Sequence, residues 1–222
     1  MPGPTTPAFV VFDVCDTLYD ANTTFGFLRH HAERTRSTRL NAALRAWAST
    51  RTARGLVAAA SLKVLRIDLA RIKVIAALRG ELRDTLEQTA RDYVDAILPR
   101  TINAAVHERL REHQRKGDRV VLISSSLDIV VAEIARVLGV DFSASVLEFV
   151  GDRCTGRLAV DLTGRKAEIA GALRRGEGLM HVYTDNRTDI DLLTIADRRS
   201  VILPAGAPQQ HWAGTDCEYV SL

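Results

Sequence analysis

Short apolar runs that end in a polar residue recur along this chain. Such runs, bounded by turns, predict buried strands of a parallel sheet. Because ligands of open α/β sheets bind beyond the carboxyl ends of the strands, the polar residues that follow become candidates for chemistry. Three such runs, each with the polar residue that follows it, are Phe9–Phe12 with Asp13, Val120–Ile123 with Ser124, and Leu179–Thr184 with Asp185.

Between about residues 20 and 117 the apolar residues recur instead at helical spacing, as in Leu40, Leu44 and Trp47. The first helix is predicted to begin near Phe25. Pro99 suits the first turn of a last helix that runs to Lys116. This part of the chain is therefore predicted to be almost entirely helical.

Outside that segment, predicted strands and helices alternate, which indicates a parallel sheet with helices on both faces. A hairpin is expected over Val146–Val160, with turns at Gly151-Asp152 and Thr155-Gly156, and an edge strand over Glu218–Ser221. The first two strands lie much farther apart than a crossover needs. We therefore predict an α/β core of residues 1–19 and 118–222, a doubly wound parallel sheet, with an all-helical cap of residues 20–117.

The composition is that of an ordinary globular protein, with 222 residues of which 46% are hydrophobic and 26% charged. A net charge of +3 is too small to indicate a nucleic-acid partner, and the arginines of the cap suit either solvated helix faces or anionic substrates. Three scattered cysteines favour a reduced compartment. No signal peptide or membrane span is expected, so we predict a cytoplasmic location. The oligomeric state is left open.

The residues suited to chemistry follow one another in a definite order. Asp13-Val14-Cys15-Asp16-Thr17 comes after the first strand, and Ser124-Ser125-Ser126 after the second. Lys166 opens a later helix, and Asp185 and Asp189 follow a later strand. A strand-end carboxylate can attack phosphorus, and carboxylates with phosphate and water suit Mg²⁺. Taken singly, each of these residues suits an ordinary strand end, helix start or solvated face.

In this order the segments resemble the motifs of the haloacid dehalogenase superfamily, which read Asp-x-Asp-x-Thr, Ser or Thr, Lys or Arg, and an acidic pair. The resemblance implies a Rossmann-like core, a Mg²⁺ cofactor and a small phosphorylated or diphosphorylated substrate. It also implies the site residues. They are Asp13, Cys15, Thr17, Ser124 and Lys166 for catalysis, Asn22, Ser124, Ser125 and Lys166 for substrate, and Asp13, Cys15 through its backbone carbonyl, Asp185 and Asp189 for the metal.

A helical insertion directly after the first motif is similar to the cap of the phosphoserine-phosphatase branch. Thr155-Gly156 resembles a Thr-Gly segment of that branch. Where those enzymes bind the substrate amino group with a glutamate, this chain has Asn22. Phosphoserine is therefore not the expected substrate.

Cys15 stands where the superfamily's phosphatases have their second aspartate, which protonates the leaving oxygen. A thiol, with a reference pKa of about 8.5, is a poor general acid. Three hypotheses follow. The chain is a magnesium-dependent phosphohydrolase acting through an aspartyl-phosphate, a phosphotransferase or a phosphate or diphosphate lyase that does not need this acid, or a non-catalytic phosphate-binding relic.

Overall fold

The computed structural model describes residues 7–48, 52–57, 68–174, 176, 178–204, 212 and 216–222. Seven strands form one sheet in the order β4-β3-β2-β1-β5-β6-β7, and every neighbouring pair is parallel except the hairpin β3–β4. The strands are β1 Phe9–Phe12, β2 Arg119–Leu127, β3 Asp141–Val150, β4 Arg153–Val160, β5 Met180–Thr184, β6 Arg198–Leu203 and β7 Glu218–Ser221.

Strand β1 lies at the centre of the sheet, and its side chains alternate between two apolar cores. Val10 and Phe12 belong to one core, while Phe9 and Val11 belong to the other. The chain builds outward from β1 through β2 and β3 on one side, and through β5, β6 and β7 on the other. The predicted doubly wound parallel sheet is confirmed. The switch of direction at β1 makes a crevice at its carboxyl end, where Asp13 follows.

Eight α-helices of the described residues are α1 Thr23–Thr35, α2 Thr38–Trp47, α3 Leu69–Ile75, α4 Arg83–Ala96, α5 Ala104–Arg115, α6 Asp128–Leu138, α7 Lys166–Leu173 and α8 Ile190–Thr194. Helix α1 begins close to the predicted start. Among the described residues, none of the helices has both the length and the apolar character needed to cross a bilayer.

The predicted continuous helix from Pro99 to Lys116 is wrong. A short 3₁₀ helix, Leu98–Thr101, is followed by an extended Ile102, and only then does α5 begin. The break arises because Ile102 pairs with Tyr19 in an isolated antiparallel bridge. The two segments that join residues 20–101 to the rest of the chain therefore lie side by side.

The hairpin is confirmed with its turn at Gly151-Asp152, but Thr155-Gly156 lies within β4 and not in a turn. Gly156 has φ +75°, and a Cβ there would lie 2.8 Å from the carbonyl oxygen of Ala76. The backbone before α4 approaches β4 closely, with Gly80 N–H donating to the Cys154 carbonyl at 2.7 Å. A side chain at position 156 would prevent this approach.

Helices α1 to α4 belong to the segment predicted as the cap, and part of that segment, residues 49–51 and 58–67, lies outside the described residues. Helix α5 packs against the sheet, since Val106 and Leu110 share the apolar core of Val10 and Phe12. The domain boundaries stay a prediction.

Candidate active site

Asp13 continues from β1 and is buried at the centre of the sheet edge. Its N–H donates to the Tyr183 carbonyl at 2.9 Å, which holds the backbone in line with β5. Its Oδ1 accepts the Val14 N–H at 2.7 Å, and its Oδ2 lies 2.8 Å from Lys166 Nζ. Burial raises the pKa of Asp13, and the Lys166 ammonium opposes that shift.

Lys166, the first residue of α7, is only 5% exposed. Its Nζ donates to Asp189 Oδ2 at 2.8 Å as well as pairing with Asp13, and Thr184 Oγ1 donates to the same Asp189 oxygen at 2.8 Å. Burial alone would lower the pKa of Lys166, but Asp13 and Asp189 outweigh it and raise the pKa. Lys166 is therefore a permanent buried cation.

Asp185 follows β5 and is held by Thr17 from the loop after β1. Thr17 Oγ1 donates to Asp185 Oδ1 at 2.8 Å and accepts the Asp185 N–H at 3.0 Å. Burial and the nearby charge of Asp13 raise the pKa of Asp185 to about 7. Two hydrogen bonds thus join the segment that contains Asp185 to the loop that follows Asp13.

The Cys15 thiol contacts the Thr23 hydroxyl, which belongs to a cluster of hydroxyl groups. Its Sγ accepts the Thr23 N–H at 3.4 Å and lies 3.1 Å from Thr23 Oγ1. Thr23 and Thr24 hydroxyls lie 2.6 and 2.8 Å from Ser126 Oγ. Burial and Asp13 raise the pKa of Cys15 to about 11, so the thiol is neutral and a poor nucleophile.

Ser124 and Ser125, near the end of β2, make different contacts: Ser124 through its hydroxyl and Ser125 through its backbone carbonyl. The buried Ser124 accepts the Ser126 N–H at 3.2 Å, and its own proton makes no hydrogen bond to another described residue. Ser125 contributes its carbonyl, which accepts bonds from Arg71 and Ser145. Ser124 therefore keeps a donor available at the sheet edge beside Asp13.

Asn22 is exposed at the start of α1, where its Oδ1 accepts the Phe25 N–H at 3.1 Å. This is an ordinary helix cap. The position does not join the buried group around Lys166, and its predicted substrate role stays a prediction.

Arg71 is a site residue that sequence reasoning missed. It is the third residue of α3, is buried, and contacts three groups of the core. Nη1 donates to Asp161 Oδ1 and to Thr163 Oγ1, both at 2.9 Å, and Nη2 donates to the Ser125 carbonyl at 2.5 Å. Asp68, which caps the Arg71 N–H at 2.9 Å, was a helix-start signal that could have drawn attention to it.

The donor set suits a magnesium ion. The Lys166 ammonium pairs with Asp13 and Asp189, and Asp185 adds a half-buried carboxylate whose pKa is raised first by burial and then by the charge of Asp13. Among the described residues no group of three or more His, Cys, Asp and Glu forms a ready-made metal cage. Magnesium needs only one or two carboxylates with water and phosphate, so the residues fit. Asp189 is engaged by Lys166 and Thr184 and supports the loop.

Comparison with known proteins points to one family. The sequence model of the haloacid dehalogenase-like hydrolases matches residues 10–194. Protein CicA of Caulobacter vibrioides is 30% identical over 142 residues, which are 59% of this chain and 61% of that protein. The chain thus spans about three fifths of that relative's length.

Solved structures share the fold. A protein of unknown function from Bordetella pertussis Tohama I superposes with a TM-score of 0.78 at 19% identity, covering 97% of this chain and 99% of that one. A phosphoserine phosphatase solved as a phospho-aspartyl intermediate analogue superposes with a TM-score of 0.65 at 18% identity, covering 97% and 94%.

Proposed function

We propose that this chain, which belongs to the haloacid dehalogenase-like hydrolase family, is a magnesium-dependent phosphohydrolase acting on a small phosphorylated metabolite through an aspartyl-phosphate. The observation that carries the proposal is the pairing of Asp13 with Lys166 at 2.8 Å in a buried crevice at the carboxyl end of β1. Asp189 Oδ2 accepts a hydrogen bond from the same ammonium at 2.8 Å.

In the proposed reaction a carboxylate oxygen of Asp13 attacks phosphorus, and the bond from phosphorus to the leaving oxygen breaks. Lys166 keeps Asp13 ionised and offsets charge on the phosphoryl oxygens, while the Ser124 hydroxyl donates to one of them. Water then attacks the aspartyl-phosphate, which restores the carboxylate and releases phosphate. Asp13, Asp185 and the Cys15 carbonyl would hold magnesium, which supplies charge neutralisation for the phosphoryl group.

Cys15 limits which substrates suit the site. A neutral thiol with a pKa of about 11 protonates a leaving alkoxide poorly. The site therefore favours substrates whose leaving group needs little protonation. The same observation supports a second candidate, transfer or elimination at a phosphate or diphosphate group. A non-catalytic relic is less favoured because Lys166, Asp13 and Asp189 retain a costly buried charge group.

Three further features support the proposed function: the helical cap, the free cysteines and the similarity of fold to a phosphoserine phosphatase. Within the predicted cap of residues 20–117, helices α1 to α4 would cover the crevice while α5 packs against the sheet. Arg71 is the buried contact of α3 with the Ser125 carbonyl. The described cysteines, Cys15, Cys154 and Cys217, are all free thiols, which suits a cytoplasmic location. The phosphoserine phosphatase solved with a phospho-aspartyl analogue supports the same role for Asp13 by analogy of fold.

The test is hydrolysis of para-nitrophenyl phosphate with Mg²⁺, because this leaving group departs without a proton. Asp13→Asn should lower kcat/KM by about 10³-fold or more, and chelator should abolish a turnover that Mg²⁺ restores. Asp16→Asn is the matched control, since Asp16 is exposed in the same loop and Asn tolerates its φ of +54°. Full turnover by a folded Asp13→Asn protein, or full turnover in chelator, would refute the proposal.

A further inference from the structure

Asn103 occupies a helix-cap position but does not cap its helix. It immediately precedes α5 with an extended backbone, φ −83° and ψ 91°, as an N-cap residue should. Asparagine is among the preferred N-cap residues because its side-chain oxygen accepts an N–H of the first turn. Here that bond is not made. A residue that breaks a local rule while buried is constrained by something else.

The Asn103 amide is turned instead toward the loop that follows Asp13. Nδ2 donates to the Thr17 carbonyl at 2.7 Å and lies 3.4 Å from the Asp16 carbonyl. The Asn103 N–H also donates to the Leu18 carbonyl at 2.9 Å. Two groups of one residue therefore hold two successive carbonyls of the loop.

His107 strengthens this contact from one turn farther along α5. Residues four apart lie on the same helix face. Burial lowers the pKa of His107, so the ring is neutral and its Nε2–H donates to the Leu18 carbonyl at 3.1 Å. The first turn of α5 thus holds the loop that follows Asp13 through hydrogen bonds from Asn103 and His107.

The loop that Asn103 and His107 hold contains a residue with a left-handed backbone. Asp16 has φ +54°, a left-handed conformation that is unfavourable for residues other than glycine, although Asp and Asn tolerate it best. Thr17, whose carbonyl Asn103 holds, is fully buried and carries the two bonds to Asp185. A continuous path therefore runs from Asn103 through Thr17 to the Asp185 carboxylate.

We propose that Asn103 is a positioning residue, which fixes the loop after Asp13 and through Thr17 orients the Asp185 carboxylate for its ligand. This inference rests on the proposed function for the identity of that ligand, Mg²⁺. Its structural part, the fixing of the loop, does not depend on the metal.

Asn103→Asp tests the inference, because aspartate is as good an N-cap as asparagine but cannot donate to the two carbonyls. Asn103→Ser is a second variant that can cap the helix and is too short to reach the loop. Gln114→Glu is the matched control. Gln114 lies on the same helix, and its amide donates to the Leu138 carbonyl at 2.8 Å, away from the site.

Two readouts are needed, and neither is turnover. Amide hydrogen exchange over residues 14–19 and at Asp185 should accelerate about 10-fold or more in both Asn103 variants, well beyond any change over the rest of the chain. The apparent Mg²⁺ affinity, measured from the rise of Tm with Mg²⁺ alone, should fall by about 10- to 100-fold, as for other residues that orient metal ligands. Gln114→Glu should change neither.

Unchanged exchange of the loop in a folded Asn103→Asp protein overturns the inference, as does faster exchange spread evenly over the whole chain. Unchanged Mg²⁺ affinity with faster exchange overturns the part that concerns Asp185. If the wild-type protein shows no Mg²⁺ stabilisation that Asp185→Asn removes, the metal assignment of the proposed function fails, while the exchange rates still decide the role of Asn103.

Discussion

Two largely buried polar clusters lie at strand β5, and they differ in how their charges are balanced. The site cluster consists of Asp13, Lys166, Asp185 and Asp189. The histidine–tyrosine cluster consists of His113, Asp118, His181, Tyr183 and Ser200. Tyr183 lies in β5 and Asp185 directly follows the last residue of this strand, so the two clusters are neighbours along the chain.

The histidine–tyrosine cluster satisfies its own hydrogen bonds. His113 bonds to Asp118 Oδ2 at 2.7 Å and to the Tyr183 hydroxyl at 3.0 Å, and His181 bonds to Ser200 Oγ at 2.9 Å. Burial, with a smaller effect of His113, lowers the pKa of His181 to about 3. Burial raises the pKa of Tyr183 to about 12. Both side chains are therefore uncharged at neutral pH.

The site cluster instead concentrates charge that it does not balance. One ammonium faces the Asp13 and Asp189 carboxylates, and Asp185 adds a third carboxylate with a raised pKa. Buried charge without full compensation is typical of functional sites. The comparison teaches that burial of polar groups alone does not mark a site. What distinguishes the site cluster is an excess of carboxylates over ammonium groups, which a bound cation would offset.

Removing the Lys166 ammonium should have the largest effect on turnover and on stability. Lys166→Met leaves two buried carboxylates unpaired, so we expect kcat/KM to fall by about 10²–10³-fold or more and the free energy of unfolding to fall by about 3–5 kcal/mol. Turnover of para-nitrophenyl phosphate and urea unfolding measure these. Arg165→Met, at the exposed neighbouring position, should change both only slightly. Normal turnover by Lys166→Met would remove Lys166 from the mechanism.

Adding a carboxylate at position 15 should raise turnover, whereas the change at Lys166 lowers it. In Cys15→Asp the new carboxylate would accept the Thr23 N–H and hydroxyl that now contact Sγ. We expect kcat/KM for alkyl phosphates to rise, well below the ceiling of about 10²–10⁴-fold for general acid–base catalysis. Turnover of para-nitrophenyl phosphate should rise little.

Cys15→Ser is the control for this prediction, because it keeps a small neutral group and should bring no gain. Equal gains on alkyl phosphates and para-nitrophenyl phosphate, or no gain in a folded Cys15→Asp protein, would favour the transferase or lyase hypothesis.

Asp185 predicts a pH dependence of stability whose sign follows from its raised pKa. The folded pKa of about 7 exceeds the unfolded value, so the stability that protonated Asp185 contributes is lost as the pH rises through about 7. Asp185→Asn cannot titrate. In chelator, the Tm of Asp185→Asn minus the Tm of wild type should therefore be larger at pH 8 than at pH 6. Each kcal/mol of unfolding free energy that wild type loses over this range corresponds to about 2–4 °C in that difference.

With Mg²⁺ the order should reverse, because only the wild-type carboxylate gains a cation. Thermal unfolding at both pH values, with chelator and with Mg²⁺, makes the test. A Tm difference that is independent of pH would show that Asp185 is not the titrating group.

The smallest effect is expected in the other cluster. Tyr183→Phe removes the hydroxyl that bonds to His113 but keeps the ring that stacks on Phe12 at 4.3 Å. We expect a loss of about 1 kcal/mol in the free energy of unfolding and no change in kcat/KM. A clear loss of turnover at unchanged stability would show that the two clusters are coupled through β5.

The sheet and most of the charged cluster could be predicted because local signals carry them. Continuous apolar runs gave β1, β2, β5 and β6, and parallel strands bring the residues after them to one edge. Asp13 with Lys166, and Thr17 with Asp185, meet as this geometry requires. The order of these residues along the chain resembles the motifs of the haloacid dehalogenase superfamily, and this resemblance predicted the hydrolase class.

Other features have no local signal because their partners are backbone carbonyls far along the chain. Arg71 donates to Ser125 and Asn103 donates to Thr17, and neither bond leaves a periodic trace in the sequence. Strand β2 extends past Ser124 to Leu127, because pairing with β3 resumes at Ser145 after an irregularity. Such contacts depend on tertiary packing and can be read only from the fold.

The central claim is that Asp13 carries the phosphoryl group during turnover. Acid quenching of the enzyme while it turns over para-nitrophenyl phosphate with Mg²⁺, followed by peptide mass spectrometry, tests it most directly. We expect one phosphoryl group on the peptide that contains Asp13, and none in Asp13→Asn. A phosphoryl group on another residue, or none on any peptide of an enzyme shown to be turning over, would contradict it.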